Sequence, residues 1–596
     1  MYERLRCALL LFSVAAVQLL SASSQPPSPE LTFDVARVPF SRFGSYLSIS
    51  RYGDRLMLRS VHGGSSSPDI FRVLLARNGQ PVSFNETATP TLLTLRPTEG
   101  YGSVEILMSE PKLLRIRGRG VALRLERPVG GTQYAFRRGE SQWVVNSSAQ
   151  DLKVLLTPVT GRLSVDPLWT GTGSRELVAE ALPDASGNFE IVLEEFTGSW
   201  HEQSYPESFE AALARVQKEY GSWLRSMPSV PPELRPAAEL AAYVNWSAVV
   251  GAEGNFRAPA MLMSKNWMAQ MWTWDHCFNA MALVKAQPAL AWQQFFAPFN
   301  VQNADGALPD SMTDRNALWA YSKPPIHGWA LRWMMHHGTL LSHADLARTY
   351  SALSAWTDWY FRFRDDDRDG LPEYQHGNDS GWDNSTVFLK GVPVESPDLA
   401  AFLVLQMDEL SELAQRLGKS SESRSWKRRS DYLLQQMIAR MWRGDHFVAL
   451  SEGEHDSVIE SGSLLLYIPL VLGKRLPPEV ASKMIERLRE NGRFLTDNGL
   501  ATESPSSRYY VADGYWLGPI WAPSTMLIVS GLDDLGQRAL AGEIRQRFCR
   551  MVAAGGMAEN FDAVSGKPLR DPAYTWTSSV FLIFANELTS HPAEAN

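Results

Sequence analysis

Between residues 31 and 197 the apolar positions come in short runs that alternate with polar ones, at 46–49, 55–58, 71–75, 113–117, 121–125 and 189–193. Gly, Pro, Asn and Asp punctuate them. A period of two in brief, regularly interrupted segments predicts half-buried strands, and many of them in series predict a β-sandwich. Near Tyr205 the period changes. Residues 208–226 carry the three-to-four spacing of an amphipathic helix, and a Pro-rich break follows at Pro228, Pro231 and Pro232. Beyond it the helical period recurs at 234–249, 288–300, 328–336, 344–362, 397–417, 421–441, 478–491, 521–530, 535–552 and 577–588. Pro288 suits a first helical turn, where no backbone N–H is needed. The pattern divides the chain into residues 25–200 (β), 201–232 (linker helix and Pro-rich connection) and 233–596 (helical). The helical part has room for six helical hairpins closed into a barrel, and equally for an irregular bundle.

The first residues carry a different signal. Arg4 and Arg6 precede an apolar stretch from Ala8 to Leu20, and small residues follow at Ser21, Ala22, Ser23 and Ser24. This predicts a cleaved secretory signal over 1–24 and an exported protein, periplasmic or extracellular. The stretch is shorter than the roughly 20 residues of a spanning helix, and no later segment is apolar enough, so no membrane span is expected after cleavage. With 596 residues and 44% hydrophobic content the chain can bury more than one core. Its net charge of −8 and lack of a basic patch argue against nucleic acid as a partner. Of three cysteines, Cys7 lies in the signal, and Cys277 and Cys549 are too distant in sequence to be paired by inspection. Sequons at Asn378 and Asn384 fall inside the presumed site, where a glycan would block it. Nothing in the chain fixes an oligomeric state.

Candidate chemistry centres on two carboxylates in aromatic surroundings. Asp383 lies in Gly381-Trp382-Asp383-Asn384-Ser385, and Glu559 in Gly556-Met557-Ala558-Glu559-Asn560-Phe561. Aromatic planes beside lone carboxylates suit a sugar site, because pyranose C–H faces stack on indoles and glycosidic cleavage takes one carboxylic acid and one carboxylate. Taken alone, Asp383 could as well cap a helix and Glu559 form a surface pair. Tyr515, Trp516 and Trp521 crowd a Gly/Pro-rich loop, better explained as the lining of a pocket than as a solvated turn. Trp272, Trp274 and Asp275 form a second aromatic–acid group, in which one indole is expected in the core. Gln302 either donates to a sugar hydroxyl or finishes a helix end. In 365–373, Asp365, Asp367 and Asp369 alternate before Gly370, like the first half of a calcium loop, although His376 stands where a bidentate carboxylate would close it. A solvated acidic turn countered by Arg368 is the alternative.

Seven segments in order resemble the glycoside hydrolases of family 63 and their mannosylglycerate-hydrolase-like and trehalase-like relatives. They are 271–278 (Met-Trp-Thr-Trp-Asp-His-Cys-Phe), 300–310, 322–325, 369–374, 381–385, 514–521, and Glu559-Asn560-Phe561 with Tyr574-Thr575-Trp576-Thr577. The resemblance implies a multi-domain, mainly α protein with a C-terminal (α/α)6 barrel behind the N-terminal β-sandwich. It implies an inverting exo-hydrolase acting on an α-linked glucosyl or mannosyl residue of a small saccharide or glycosyl-glycerate, with Asp383 as general acid and Glu559 as general base. The acid's pKa should be raised by burial against Trp382 while the base stays ionised. Trp272, Trp274, Asp275, Gln302, Trp382, Tyr515, Trp516 and Trp521 would contact the sugar. Some relatives hold calcium in the matching loop, which would place Asp365, Asp367, Asp369, Glu373 and the Leu371 carbonyl around a structural ion; no other cofactor is implied. A carbohydrate-binding protein would have lost a carboxylate, and both are present. A sugar epimerase or lyase on the same barrel would lean on a His such as His276 or His327.

Overall fold

The computed structural model describes residues 30–590, apart from 65–67, 128–131, 452–456 and 491. The expected signal over 1–24 lies outside the described residues. All six sequence-predicted strands are present, five of them longer than predicted and that at 121–125 shifted by one residue, and nine more join them to build two antiparallel sheets. One sheet orders Leu47–Tyr52, Arg55–Ser60, Asp69–Arg77, Ala122–Glu126, Val178–Leu182 and Arg162–Asp166, with Gln80–Val82 beside the third strand. The other runs Tyr134–Arg138, Gln142–Ser147, Leu152–Thr160, Asn188–Phe196, Leu113–Arg119, Ser103–Glu110, Leu93–Pro97 and Phe84–Ala88. Leu58, Phe71 and Leu123 of the first share one apolar core with Ile106, Ile116 and Ile191 of the second. Alternation puts every second residue of each strand into that core.

Helix α1 (Phe209–Ser226) follows, its first turn capped by the Ser208 hydroxyl, which accepts from Ala211 N. The remainder is helical: α2 (Arg235–Ala248), α3 (Asp275–Leu283), α4 (Pro288–Phe296), α5 (His327–His336), α6 (His343–Phe363), α7 (Pro397–Arg416), α8 (Ser420–Met441), α9 (Pro478–Leu488), α10 (Ala522–Asp534), α11 (Arg538–Gly555) and α12 (Thr575–Ser590). A 3-10 segment, Leu464–Arg475, lies between α8 and α9. Packing neighbours close a ring: α3 meets α5, α5 meets α7, α7 meets the 3-10 segment, that segment meets α10, α10 meets α12, and α12 returns to α3. The amphipathic α2, α4, α6, α8, α9 and α11 pack outside it.

Two ring members have no counterpart among the predicted helices. Every residue of α3 is buried, and residues Leu464 to Gly473 are all buried as well. An element covered on all sides shows no apolar stripe. The second also carries Pro469 and a left-handed Gly473, which interrupt any helical pattern. The predicted 288–300 helix ends at Phe296 and continues as a 3-10 turn, Pro298–Val301. Among the described residues no helix is long and apolar enough to cross a membrane.

Candidate active site

Asp383 sits in the loop that leaves the 3-10 turn Gly377–Ser380. That loop is bent by Gly381, whose φ of +73° is left-handed and whose missing Cβ leaves room for Trp274; a Cβ there would lie 2.5 Å from the Trp274 ring. Trp382 then turns inward against Trp516 (ring centroids 4.6 Å), and Trp516 lies flat on Trp521 at 4.0 Å. Trp274 touches this stack and the edge of Trp576. The Trp576 indole N–H donates to the Glu559 carbonyl at 3.0 Å. One aromatic stack therefore ties the Asp383 loop to the Glu559 segment.

Trp274, Trp382, Trp516 and Trp521 are all buried and pack on one another's rings, as expected for one of the pair Trp272 and Trp274. Trp272 and Tyr515 are half-buried and keep exposed surface. Asn384, read in the sequence only as a sequon, joins the two loops: its Nδ2 donates to the Gly514 carbonyl and its Oδ1 accepts from Trp516 N, each at 3.0 Å.

Asp383 is half-buried, whereas Glu559 is 4% exposed. The Tyr515 hydroxyl donates to Glu559 Oε1 at 3.3 Å, and the Glu559 N–H donates to the Asp571 carbonyl at 2.7 Å. Burial pushes the Glu559 carboxyl up to about 8, the neighbouring Asp571 charge adding to it. Burial also raises Asp383, against the opposing pull of Lys323. The expectation that only the acid would be raised is thus corrected: both are, because Glu559 is enclosed while the cation that pulls against this, Arg570, pairs with Asp513 at the surface.

Three further groups complete the acidic side. Asp275 opens α3, buried, with Oδ2 lacking a hydrogen-bond partner, and burial raises its pKa strongly. Lys323 Nζ lies 3.0 Å from Asp310 Oδ1 and donates to the Asn378 carbonyl at 2.7 Å. Lys323, Asp310 and Asp275 act electrostatically on one another, and Asp383 acts on Asp275. Asp310 and Lys323 stand inside the matching segments but had no residue-level signal, because each needs its partner to be noticed.

Gln302 takes its structural alternative: Nε2 donates to the carbonyls of Gly306 (2.8 Å) and Ala352 (3.0 Å), fixing the 303–307 turn. His276 and His327 are fully buried; His276 Nδ1 faces the Trp272 carbonyl, and burial lowers it to about 4. Neither is placed to reach a substrate as a base. Cys277 and Cys549 are buried free thiols. The acidic loop does converge: single carboxylate oxygens of Asp365, Asp367 and Asp369 lie within 4.8 Å of one another. Asp365 is raised by burial and by the charges of Asp367 and Glu373, the electrostatics of a set that a divalent cation would relieve. Arg440 partly meets that need through Asp369.

A cavity of about 1660 Å³ lies at the far end of the ring, near the C-terminal turns of α3, α7, α10 and α12, among Lys285, Arg332, Arg416, Asp533, Arg545 and Glu587. None of the carboxylates above borders it, so volume and chemistry point to opposite ends.

Residues 268–577 match the family described as mannosylglycerate hydrolase MGH1-like glycoside hydrolase domain. The chain is 22% identical over 420 residues to a mannosylglycerate hydrolase of Thermus thermophilus, covering 56% of this chain and 99% of that protein. It is 21% identical to a glucosylglycerate hydrolase of Mycolicibacterium hassiacum, covering 52% of this chain and 91% of that one. A bacterial glucoamylase crystallised with acarbose shares the fold over 95% of this chain and 96% of its own, with a TM-score of 0.57 and 10% identity.

Proposed function

The chain belongs to the mannosylglycerate hydrolase MGH1-like glycoside hydrolase family, and from that membership we propose that it is an exported, inverting exo-hydrolase built on an (α/α)6 barrel with an N-terminal β-sandwich. It removes an α-linked glucosyl or mannosyl residue from a disaccharide, oligosaccharide or glycosyl-glycerate. Asp383 is the general acid and Glu559 the general base. The observation that carries this assignment is the difference in exposure between two carboxyls held by one aromatic stack. In an exo-acting pocket the sugar enters first and the leaving group faces solvent. The carboxyl nearer solvent, Asp383, is then placed to protonate the leaving oxygen, and the enclosed Glu559 to draw a proton from water on the other side. An inverting pair leaves room for that water at a separation of about 6.5–9.5 Å.

The reacting form has Asp383 protonated and Glu559 ionised. With Glu559 near 8, that form is a minority at neutral pH, and the rate follows its population. The Tyr515 hydroxyl supports the ionised form of Glu559. Asp275, buried with an unmet acceptor, takes a hydroxyl of the bound sugar, and Trp272 walls the pocket. The signal over 1–24 directs export, the β-sandwich spans 25–200, the connection 201–232 and the barrel 233–596. Asp365, Asp367, Asp369, Glu373 and the Leu371 carbonyl would hold a calcium ion that stiffens the approach to Asp383. The sugar-epimerase reading loses support from the burial of both histidines.

An α-glycosyl fluoride needs no acid to leave and so separates the two roles. Asp383→Asn should lose natural-substrate hydrolysis by at least about 100-fold yet keep most fluoride hydrolysis, whereas Glu559→Gln should lose both. The opposite pattern would exchange the roles, and full activity in either variant would remove that residue from the mechanism.

A further inference from the structure

We propose that Leu318, Trp319 and Tyr321 form the subsite for the leaving group and that this subsite accepts a second sugar ring. The inference rests on Asp383 being the acid, because whatever lies on the acid's side of the reacting bond is the leaving group.

Leu318 and Trp319 are each 47% exposed, side by side at the end of a small sheet in which Met271–Trp272 pairs with Ser311–Met312 and the latter with Ala317–Leu318. The exposed pair is not on a loose tip. The hairpin turn is clamped by His62, whose Nδ1 lies 2.8 Å from Asp314 Oδ2, and by the Gly63 N–H, which donates to Asp314 Oδ1 at 2.8 Å. Two adjacent apolar side chains held out on a rigid base form a contiguous apolar surface that a ligand can cover.

Beyond Trp319 the chain runs along the turn that leads to Asp383. The Tyr321 ring packs on His376 at 4.9 Å, and Ser322 N donates to Asp379 Oδ1 at 2.8 Å. Lys323 reaches the Asn378 carbonyl and is the strap's cation that pulls on Asp383. The exposed aromatic strap therefore borders the acid's side of the site.

A pyranose offers an apolar C–H face that an indole covers well. A glycerate offers a carboxylate, which calls for a donor cation. The cation of this strap, Lys323, is already committed to Asp310 and a backbone carbonyl. The strap's chemistry thus favours a sugar ring over a small acid as leaving group. Trp267, 59% exposed, provides the comparison: its backbone N–H donates to Asp571 Oδ2 at 3.3 Å, which puts it on the Glu559 side.

The test compares kcat/KM of wild type, Trp319→Ala, Trp319→Phe and Trp267→Ala on an α-linked disaccharide, a glycosyl-glycerate and an α-glycosyl fluoride. The expected result is a loss of about tenfold on the disaccharide for Trp319→Ala, partial recovery in Trp319→Phe, and unchanged fluoride hydrolysis. An equal loss on the fluoride, no loss on the disaccharide, or a loss that falls on Trp267→Ala instead would overturn the subsite. Wild-type hydrolysis of the glycosyl-glycerate alone would overturn it while leaving the hydrolase reading intact. Failure of Asp383→Asn to cleave the fluoride would instead remove the premise about the acid.

Discussion

Glu559 and Asp383 carry the same functional group in different settings, and the setting decides what each can do. Glu559 is raised by burial and by Asp571 beside it, to about 8. The reacting form carries one proton shared between the pair, on Asp383, and with the base the more strongly raised of the two that proton is lost above the pKa of Glu559, so the alkaline limb of the kcat/KM profile should fall near that value. Removing the neighbouring charge lowers the pKa of Glu559. Asp571→Asn should therefore move the alkaline limb to lower pH, by up to about one unit, in a pH series on natural substrate. An unmoved limb would detach it from Glu559. At this scale the sequence was readable where a motif isolates one acid among aromatics. It was silent on Asp571 and on the pairings of Lys323 and Asn384, which join separate segments of the chain. It did not show that Trp382, Trp516 and Trp521 pack on one another, because clustering in sequence does not say whether an indole faces a pocket or another indole.

At the scale of elements, amphipathic helices were legible to within a few residues, as α7 and α8 illustrate. The inner α3 and Leu464–Arg475 were not, since burial on every side erases the polar face that a period needs. The loops that present the chemistry rest on backbone conformations that the sequence marks only by glycine. Gly381 is the sharpest case, with its left-handed φ and Trp274 occupying the space of a Cβ. Gly381→Ala should cost about 1–3 kcal/mol from the backbone alone and shift the indole as well. Thermal melting should show the loss, and activity should fall with it through Asp383. A variant that melts and turns over like wild type would show that the loop tolerates another path.

Across the whole molecule, the β region reaches into the helical ring close to the site. Arg59 donates to the carbonyls of Lys265 (3.1 Å) and Asn266 (2.9 Å), and Arg37 donates to the Gly555 carbonyl. The most consequential tie is buried: His62 faces Asp314 and Glu195 and stacks on Tyr46 at 3.8 Å. Burial alone would lower its pKa, but the hydrogen bonds and charges of the two carboxylates win and raise it to about 9. A folded pKa above the ordinary 6.5 means that the stabilisation is full below about 6.5 and is lost as pH rises through about 9. It amounts to about 3 kcal/mol. Melting temperature should therefore fall between pH 7 and 10 in wild type and fall less in His62→Phe, against its own lower starting value. Parallel curves would show that the histidine does not carry the dependence. The two-part division was legible from the change of period near Tyr205, yet these contacts were not, because they join residues of no shared motif.

The central claim is that Asp383 and Glu559 act on opposite sides of the glycosidic bond with a water between. Following the anomeric proton of the released sugar by NMR during hydrolysis of an α-linked substrate tests it directly. The account predicts that the β-anomer appears first and that Asp383→Asn and Glu559→Gln each abolish its release. First appearance of the α-anomer would contradict it, since retention requires a nucleophile where this account places a base.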